Sequence, residues 1–551
     1  MLEVFRKNKL FIFLVIIITV VLAITFRHNI GLIIDCGREV YYPQQILNGE
    51  VLYKDLFNIY GPFAYLFNAV LYKIFGINTD TLYFAGSICA TVIVLTTFFI
   101  VKKLFNENVA FSIALFSVAV GMTPVYIFNY IFPYSFAMTY GLAGFLLSLF
   151  FLINYICSKQ NLFLYISLFF AGLSVCSKYE FLPYLLIYFI IFWKFKPKFN
   201  TYILGLLSFG IIPEICFATL FAQGLQLADL KHTINIITAM SQTQTLKYFY
   251  MHSGVLPHKQ TIFALFLTFT ALVIPFFIYM LPVIFKEKFN KIPILNLILT
   301  YGSLVLIIAL NLFKMNDIFM ATPIALAVLI ILNYKKLIKN FVLFIVVTSV
   351  LLCSLKVFWG LVLNSYGIYY LPLILTAIGF IFKDKFTEFD WNHISFYFLI
   401  FAILIAFNNI KSVSKNTVYL STNKGRIFVE KKYEKTKDLL LFIEKNTKKS
   451  DKILILPEGM MINFLSDRKT DGFYNTMLPL YEETFGIETF KKHFSKSMPK
   501  YIIFNSWNSN DYYFSIICKD YGFDFCKFVK NNYFQKLKLS GDSSYVIFEK
   551  K

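Results

Sequence analysis

The sequence predicts a polytopic α-helical membrane protein that ends in a small, water-soluble α/β domain. Three observations predict it. Apolar residues fill 58% of the 551 positions and charged ones only 15%, against roughly 25% charged in soluble domains. The 66 Phe and 36 Tyr exceed what a soluble interior can hold, whereas a bilayer lets the outward surface be apolar as well. Finally, the apolar residues fall in about 13 long runs, and from residue 411 onward these runs stop and charged residues return.

A spanning helix needs roughly 20 mainly apolar residues. The runs that meet or approach this are 10–26, 81–101, 109–127, 135–156, 162–177, 181–194, 200–222, 261–284, 293–313, 318–333, 340–358, 367–382 and 393–409. The first run is too long in its apolar core for a cleavable leader, and no small-residue cleavage site follows it. Arg6, Lys7 and Lys9 precede it, and alternate connections are then basic: Lys102 and Lys103, Lys159, Lys194 to Lys198, Lys286 to Lys291, Lys335 to Lys339, and Lys383 with Lys385. Basic residues mark cytoplasmic connections. The expected arrangement is a multi-pass cell-membrane protein with a cytoplasmic N-terminus, a transmembrane unit over 1–410 and an extracytoplasmic domain over 411–551. Two outer loops, about 27–80 and 223–260, are far longer than a minimal connector requires.

In the tail, 452–457, 501–505 and 545–549 read as strands and 431–445 and 482–494 as amphipathic helices, an alternation that suggests α/β. Cys518 and Cys526 are the two close cysteines of the polar region, and a disulfide between them suits an oxidising compartment.

Net charge is +21. The basic residues are spread over connections and tail instead of gathered in one motif, so the expected partner is the lipid bilayer and no nucleic acid. Nucleotide-phosphate loops and D-x-D are absent, as are H-E-x-x-H and C-x-x-C spacings; no cofactor is predicted. The histidines are scattered, with His252 and His258 in the second outer loop.

The first outer loop holds the densest candidate chemistry, IDCGREVYYPQQILNGEVLYKDLFNIYGPFAYLFNAVLYKIFG from Ile34. Asp35 follows the first apolar run directly, where an ionisable group is costly to desolvate. A helix starting there would put Arg38 and Glu39 on its face, and Asp35 could equally be the helix cap. Asp55 reads either as a second functional acid or as a solvated turn residue. Tyr41, Tyr42, Tyr53, Tyr60 and Tyr65 suit a membrane interface.

The pattern D-x-G-R-E, then I-L-N-G-E-x-L-Y-K-D, Y-G-P and L-Y-K-I-F-G, resembles the first external loop of GT-C membrane glycosyltransferases, in the branch of protein O-mannosyltransferases and lipid A aminoarabinose transferases. GLSVCSKYEFLPY around Lys178 and Glu180, KMNDIFMATP with Lys314 and Asp317, and DKILILPEGMMINFLSDR at 451–468 resemble later segments of the same family. The resemblance implies a sugar carried on polyprenyl phosphate, transferred on the extracytoplasmic face to an acceptor hydroxyl of an envelope glycan, lipid or protein, with inversion. It implies Asp35 as the general base. Arg38, Glu39, Asp55, Lys178, Glu180, Lys314 and Asp317 are the candidate contacts to donor phosphate or substrate. Lys314 stands where relatives often have Arg, and Phe319 where His is common. The acidic partner of the essential Asp is not placed, so no metal is assigned and divalent-metal dependence stays open. A transporter or flippase of an envelope precursor is the competing class; it would favour internal repeats and charges near mid-membrane.

Overall fold

The computed structural model describes residues 9–289, 291–314, 319–363 and 365–551. A helix occupies each of the apolar runs. Among the described residues, five helices are long and apolar enough to cross a membrane: Thr79–Leu104, Phe136–Ser158, Phe199–Ala222, Thr261–Ile284 and Glu388–Val413. Six further apolar helices among the described residues are shorter, at 10–17 residues, including Lys9–Thr25, Asn161–Ser177 and Phe341–Cys353. The run at 181–194 opens as a 3-10 helix, Tyr179–Leu185, before the α-helix Leu186–Phe195.

Both expected outer loops contain helices. The first holds Cys36–Leu47 and Phe63–Phe75; the second holds Leu227–Gln242 and Gln244–His252. Each of the first two buries polar residues among apolar ones: Gln44, Gln45 and Glu39 on one and Asn68 on the other. Such mixed faces read as loop in sequence. The two ends of the 27–80 segment are clamped together. Arg27 donates from Nε and Nη2 to the two Asp80 oxygens at 2.8 and 2.6 Å. A hairpin from the tail, Val418–Thr422 with Gly425–Val429, sits on this clamp. Phe428 donates its backbone N–H to the Arg27 carbonyl, and its ring stacks on His28 at 4.5 Å.

The tail sheet runs in the order Ile453–Leu456, Tyr501–Asn505, Tyr545–Lys550, Tyr533–Leu539; the first pair is parallel and the others antiparallel. The first two strands are buried along their whole length, as a covered parallel pair requires. Tyr533–Leu539 was not expected from sequence. It is the charged edge, with Lys536 and Lys538 exposed, and such charge blocks edge-to-edge pairing. The helix expected at 482–494 is two, Pro479–Phe485 and Ile487–Lys496, broken at Gly486 with φ +77°, a left-handed residue that ends a helix. The helix expected at 431–445 begins later, as Lys435–Asn446, after a 3-10 turn. Cys518 and Cys526 are disulfide-bonded. One continuous apolar core joins the membrane-type helices to the tail, from Leu14 through Tyr65 and Met461 to Ile547.

Candidate active site

The helix Cys36–Leu47 starts directly after the first apolar helix and its short connection. Asp35 takes its N-cap position with φ 53° and ψ −53°, and its side chain makes no capping hydrogen bond. A non-glycine residue at positive φ is strained, by an order of 1–3 kcal/mol. The strain frees the carboxylate from the helix end: its Oδ1 lies 3.4 Å from Arg38 Nη1. The backbone N–H of Asp35 donates instead to Glu458 Oε1 of the tail at 2.7 Å. Gly37 makes this approach physical, because a Cβ there would fall 2.3 Å from the Met461 nitrogen.

Asp35, Arg38, Glu458 and Lys356 line one cavity of about 200 Å³, walled by aromatic rings that include Tyr60, Tyr134 and Tyr366. It lies where the apolar helices, the segment 27–80, the segment 223–260 and the tail meet. Burial pushes the Asp35 carboxyl up from its ordinary range, and the charges of Arg38 and Lys178 draw it back. Burial, with the nearby Asp35 charge, pushes Glu458 up to about 8. Both carboxyls are thus pushed toward their protonated forms, and Asp35 is the one paired with Arg38.

Each cation is held by an acid behind it. Arg38 Nε lies 3.2 Å from Glu39 Oε1 and 3.1 Å from the Tyr65 hydroxyl, its Nη2 donates to the Tyr134 carbonyl at 3.1 Å, and its guanidinium sits 5.1 Å from the centre of the Tyr60 ring. Glu39 is fully buried and also accepts from Tyr65 OH and the Phe136 N–H. Lys178 is buried; its Nζ donates to the Tyr134 hydroxyl and lies 3.3 Å from Glu180 Oε1. Glu180 bridges to Lys356 Nζ at 3.2 Å through its other oxygen, and Lys356 lies 3.6 Å from the centre of the Tyr366 ring. Glu39 and Glu180 therefore orient cations, and the cations Arg38 and Lys356 face the cavity.

The fold thus gathers Asp35, Arg38, Glu39, Lys178 and Glu180. It leaves Asp55 apart: this exposed carboxylate accepts from the Val51 N–H at 2.8 Å within its own turn. Asp317 and the Lys314 side chain lie outside the described residues. Phe319 is fully buried against Phe116 and Phe401, an apolar packing role.

Sequence reasoning missed Lys356 and Glu458. Lys356 had a signal: it is a lone cation at the outer end of an apolar run, where the alternation of basic connections puts none. Glu458 had a weaker one, an acid between the wholly buried strand Ile453–Leu456 and the wholly buried helix Met460–Leu465.

No family model matches the chain, and no curated protein matches it. Among solved structures it is similar to the oligosaccharyltransferase of Archaeoglobus fulgidus in complex with Zn and sulfate, at 13% identity and a TM-score of 0.44, over 89% of this chain and 67% of that one. The apo form of the same protein gives 13% identity and a TM-score of 0.42, over 89% and 69% of the two chains. A further likeness, at 10% identity with a TM-score of 0.47 over 98% of each chain, is to ArnT from Cupriavidus metallidurans, whose structure was solved bound to undecaprenyl phosphate.

Proposed function

We propose that this chain is a membrane glycosyltransferase that moves a sugar from polyprenyl phosphate to an acceptor hydroxyl on the extracytoplasmic face. The observation that carries the reading is the Asp35 carboxylate, released from helix capping and set beside Arg38 in a cavity that Lys356 also lines. A carboxylate paired with one cation, in a cavity that a second cation and aromatic rings also line, suits a substrate that is a phosphate at one end and a hydrocarbon at the other. Arg38 and Lys356 would hold the phosphate, the first as a fork and the second as a point charge, with Lys178 adding charge from behind the Tyr134 wall. The Cys518–Cys526 disulfide supports an oxidising compartment for the tail.

In the reaction, the acceptor oxygen attacks the anomeric carbon of the sugar and gives its proton to Asp35. The new C–O bond forms as the bond from that carbon to the phosphate oxygen breaks, and polyprenyl phosphate leaves. Attack opposite the phosphate inverts the anomeric configuration. Glu458 in its protonated form lets Asp35 stay ionised without a second negative charge beside it.

The test is transfer by the purified protein from a synthetic polyprenyl-phosphate sugar. Asp35→Asn keeps the size of the side chain and removes the base, so the rate should fall by about 10²–10⁴-fold while the protein still inserts. Sugar taken directly from a nucleotide donor, or near-normal transfer by a well-folded Asp35→Asn protein, would overturn the reading.

A further inference from the structure

A second cleft, of about 410 Å³, adjoins the cavity of Asp35, within the range of ~300–1,000 Å³ for small-molecule sites. Tyr126 and Trp507 line both spaces, so the two meet across these rings. One wall is the apolar stretch 30–34 that leads into Asp35. The other is polar and belongs to the tail: the loop 505–508 after the strand Tyr501–Asn505, and the turn at Asp542 and Ser543 before the last strand.

The polar wall is wired to the reacting carboxyls. The Trp507 backbone N–H donates to Asn505 Oδ1 at 3.0 Å, and Asn505 Nδ2 donates to the Glu458 backbone carbonyl at 2.7 Å. Glu458 in turn accepts from the Asp35 N–H. Of the charges on the rim, Lys432 and Glu430 pair with each other at 2.9 Å. Among the described residues, the Asp542 carboxylate, Trp507 Nε1 and the Tyr126 hydroxyl make no hydrogen bond within the protein, and Tyr126 is 47% exposed.

We propose that this cleft binds the acceptor, and that the acceptor is a saccharide, which passes one hydroxyl between Trp507 and Tyr126 to Asp35; the proposal rests on the transferase reading above. A sugar ring has an apolar C–H face and an edge of hydroxyls, and the cleft offers both surfaces. The rings of Trp507 and Tyr126 suit the face, since indole and phenol combine apolar area with a polar tip. Asp542 and Asn508 suit the hydroxyls, as acceptor and as paired donor and acceptor. The strands Tyr501–Asn505 and Tyr545–Lys550 on the polar side are each paired on both sides, so they offer no edge for a peptide strand to extend. A phosphate-rich acceptor would meet Asp542 unopposed.

Calorimetric titration of the full-length protein in lipid nanodiscs tests this. The probes are free di- and trisaccharides of hexose, N-acetylhexosamine and deoxyhexose type, a Ser/Thr peptide pool, and polyprenyl phosphate. At least one saccharide should bind saturably. Trp507→Ala should weaken it by about tenfold or more, Trp507→Phe should keep most of it, and Asp542→Asn should weaken it while binding polyprenyl phosphate as the wild type does. Saccharide binding that survives Trp507→Ala, no saccharide binding at all, or saturable peptide binding lost in Trp507→Ala would overturn the proposal. If saccharide binds as described and polyprenyl phosphate does not, the donor reading falls and the cleft assignment stands.

Discussion

Asp35 and Glu458 bring two carboxyls to one small cavity, and this should make stability depend on pH. Glu458 is raised from its ordinary value of 4.5 to about 8, so the folded protein keeps a proton there that the unfolded chain has released. Between these two pH values the folded state binds more protons, and stability must fall as pH rises. The slope for a single proton approaches ~1.4 kcal/mol per pH unit. Glu458→Gln keeps an oxygen to accept the Asp35 N–H and cannot ionise. Its melting midpoint in detergent should therefore fall less than that of the wild type between pH 5 and 8, with the curves diverging upward through that window; parallel curves would place the proton elsewhere. Asp35 was legible in sequence because an acid directly after an apolar run has few bland explanations. Glu458 was not, because what makes it special is a contact 423 residues away; locally it looks like a turn acid between a proline and a glycine.

Among the elements, the helix Cys36–Leu47 decides the geometry, and Gly37 decides whether it seats. It packs on the tail helix Met460–Leu465 so closely that a methyl group at position 37 would lie 2.3 Å from a backbone nitrogen and 2.8 Å from a backbone carbon. Backbone cannot swing aside as a side chain can. Gly37→Ala should destabilise the protein by ~1–3 kcal/mol, the range for overpacking, and should depress transfer even though Asp35 and Arg38 are intact. Gly302→Ala is the control: nothing lies within 4 Å of its added carbon, and alanine in a helix interior is neutral or favourable. Equal melting points for the two variants would contradict the seating. The long apolar helices were legible element by element, because a bilayer demands a long apolar run and little else imitates one. Of the outer helices only Cys36–Leu47 was raised by the sequence, as one of two readings of Asp35; it and Phe63–Phe75 bury Gln44, Gln45 and Asn68 along with apolar residues. Their periodicity is blurred by interfaces that sequence does not announce.

At the scale of the whole molecule, the lysines of the alternate connections meet at one end. Lys336 pairs with Asp384 at 3.0 Å, Lys159 lies over Phe195 and Lys194 over Phe341; Lys103, Cys157 and Lys383 line one shared depression. Asp35 and the tail are not among them. If the basic end is cytoplasmic, the exposed native Cys157 reports the inside and an engineered Lys445→Cys on the exposed face of a tail helix reports the outside. A membrane-impermeant thiol reagent applied to cells with a permeabilised outer envelope should label the second and spare Cys157 until the inner membrane is lysed; the reverse order would invert the topology. The alternation of basic connections made this end-to-end polarity readable from sequence, whereas the number of full crossings was not, because helices of 10–17 residues fall short of a full crossing. One consequence concerns the making of the protein. Ribosomes deliver Asp35 early and Glu458 late, and the wall that carries Trp507 later still. Until the tail is made, Asp35 has neither the Glu458 contact nor the Trp507 wall. On the transferase reading proposed above, a chain that stops short of the tail should therefore show no transfer.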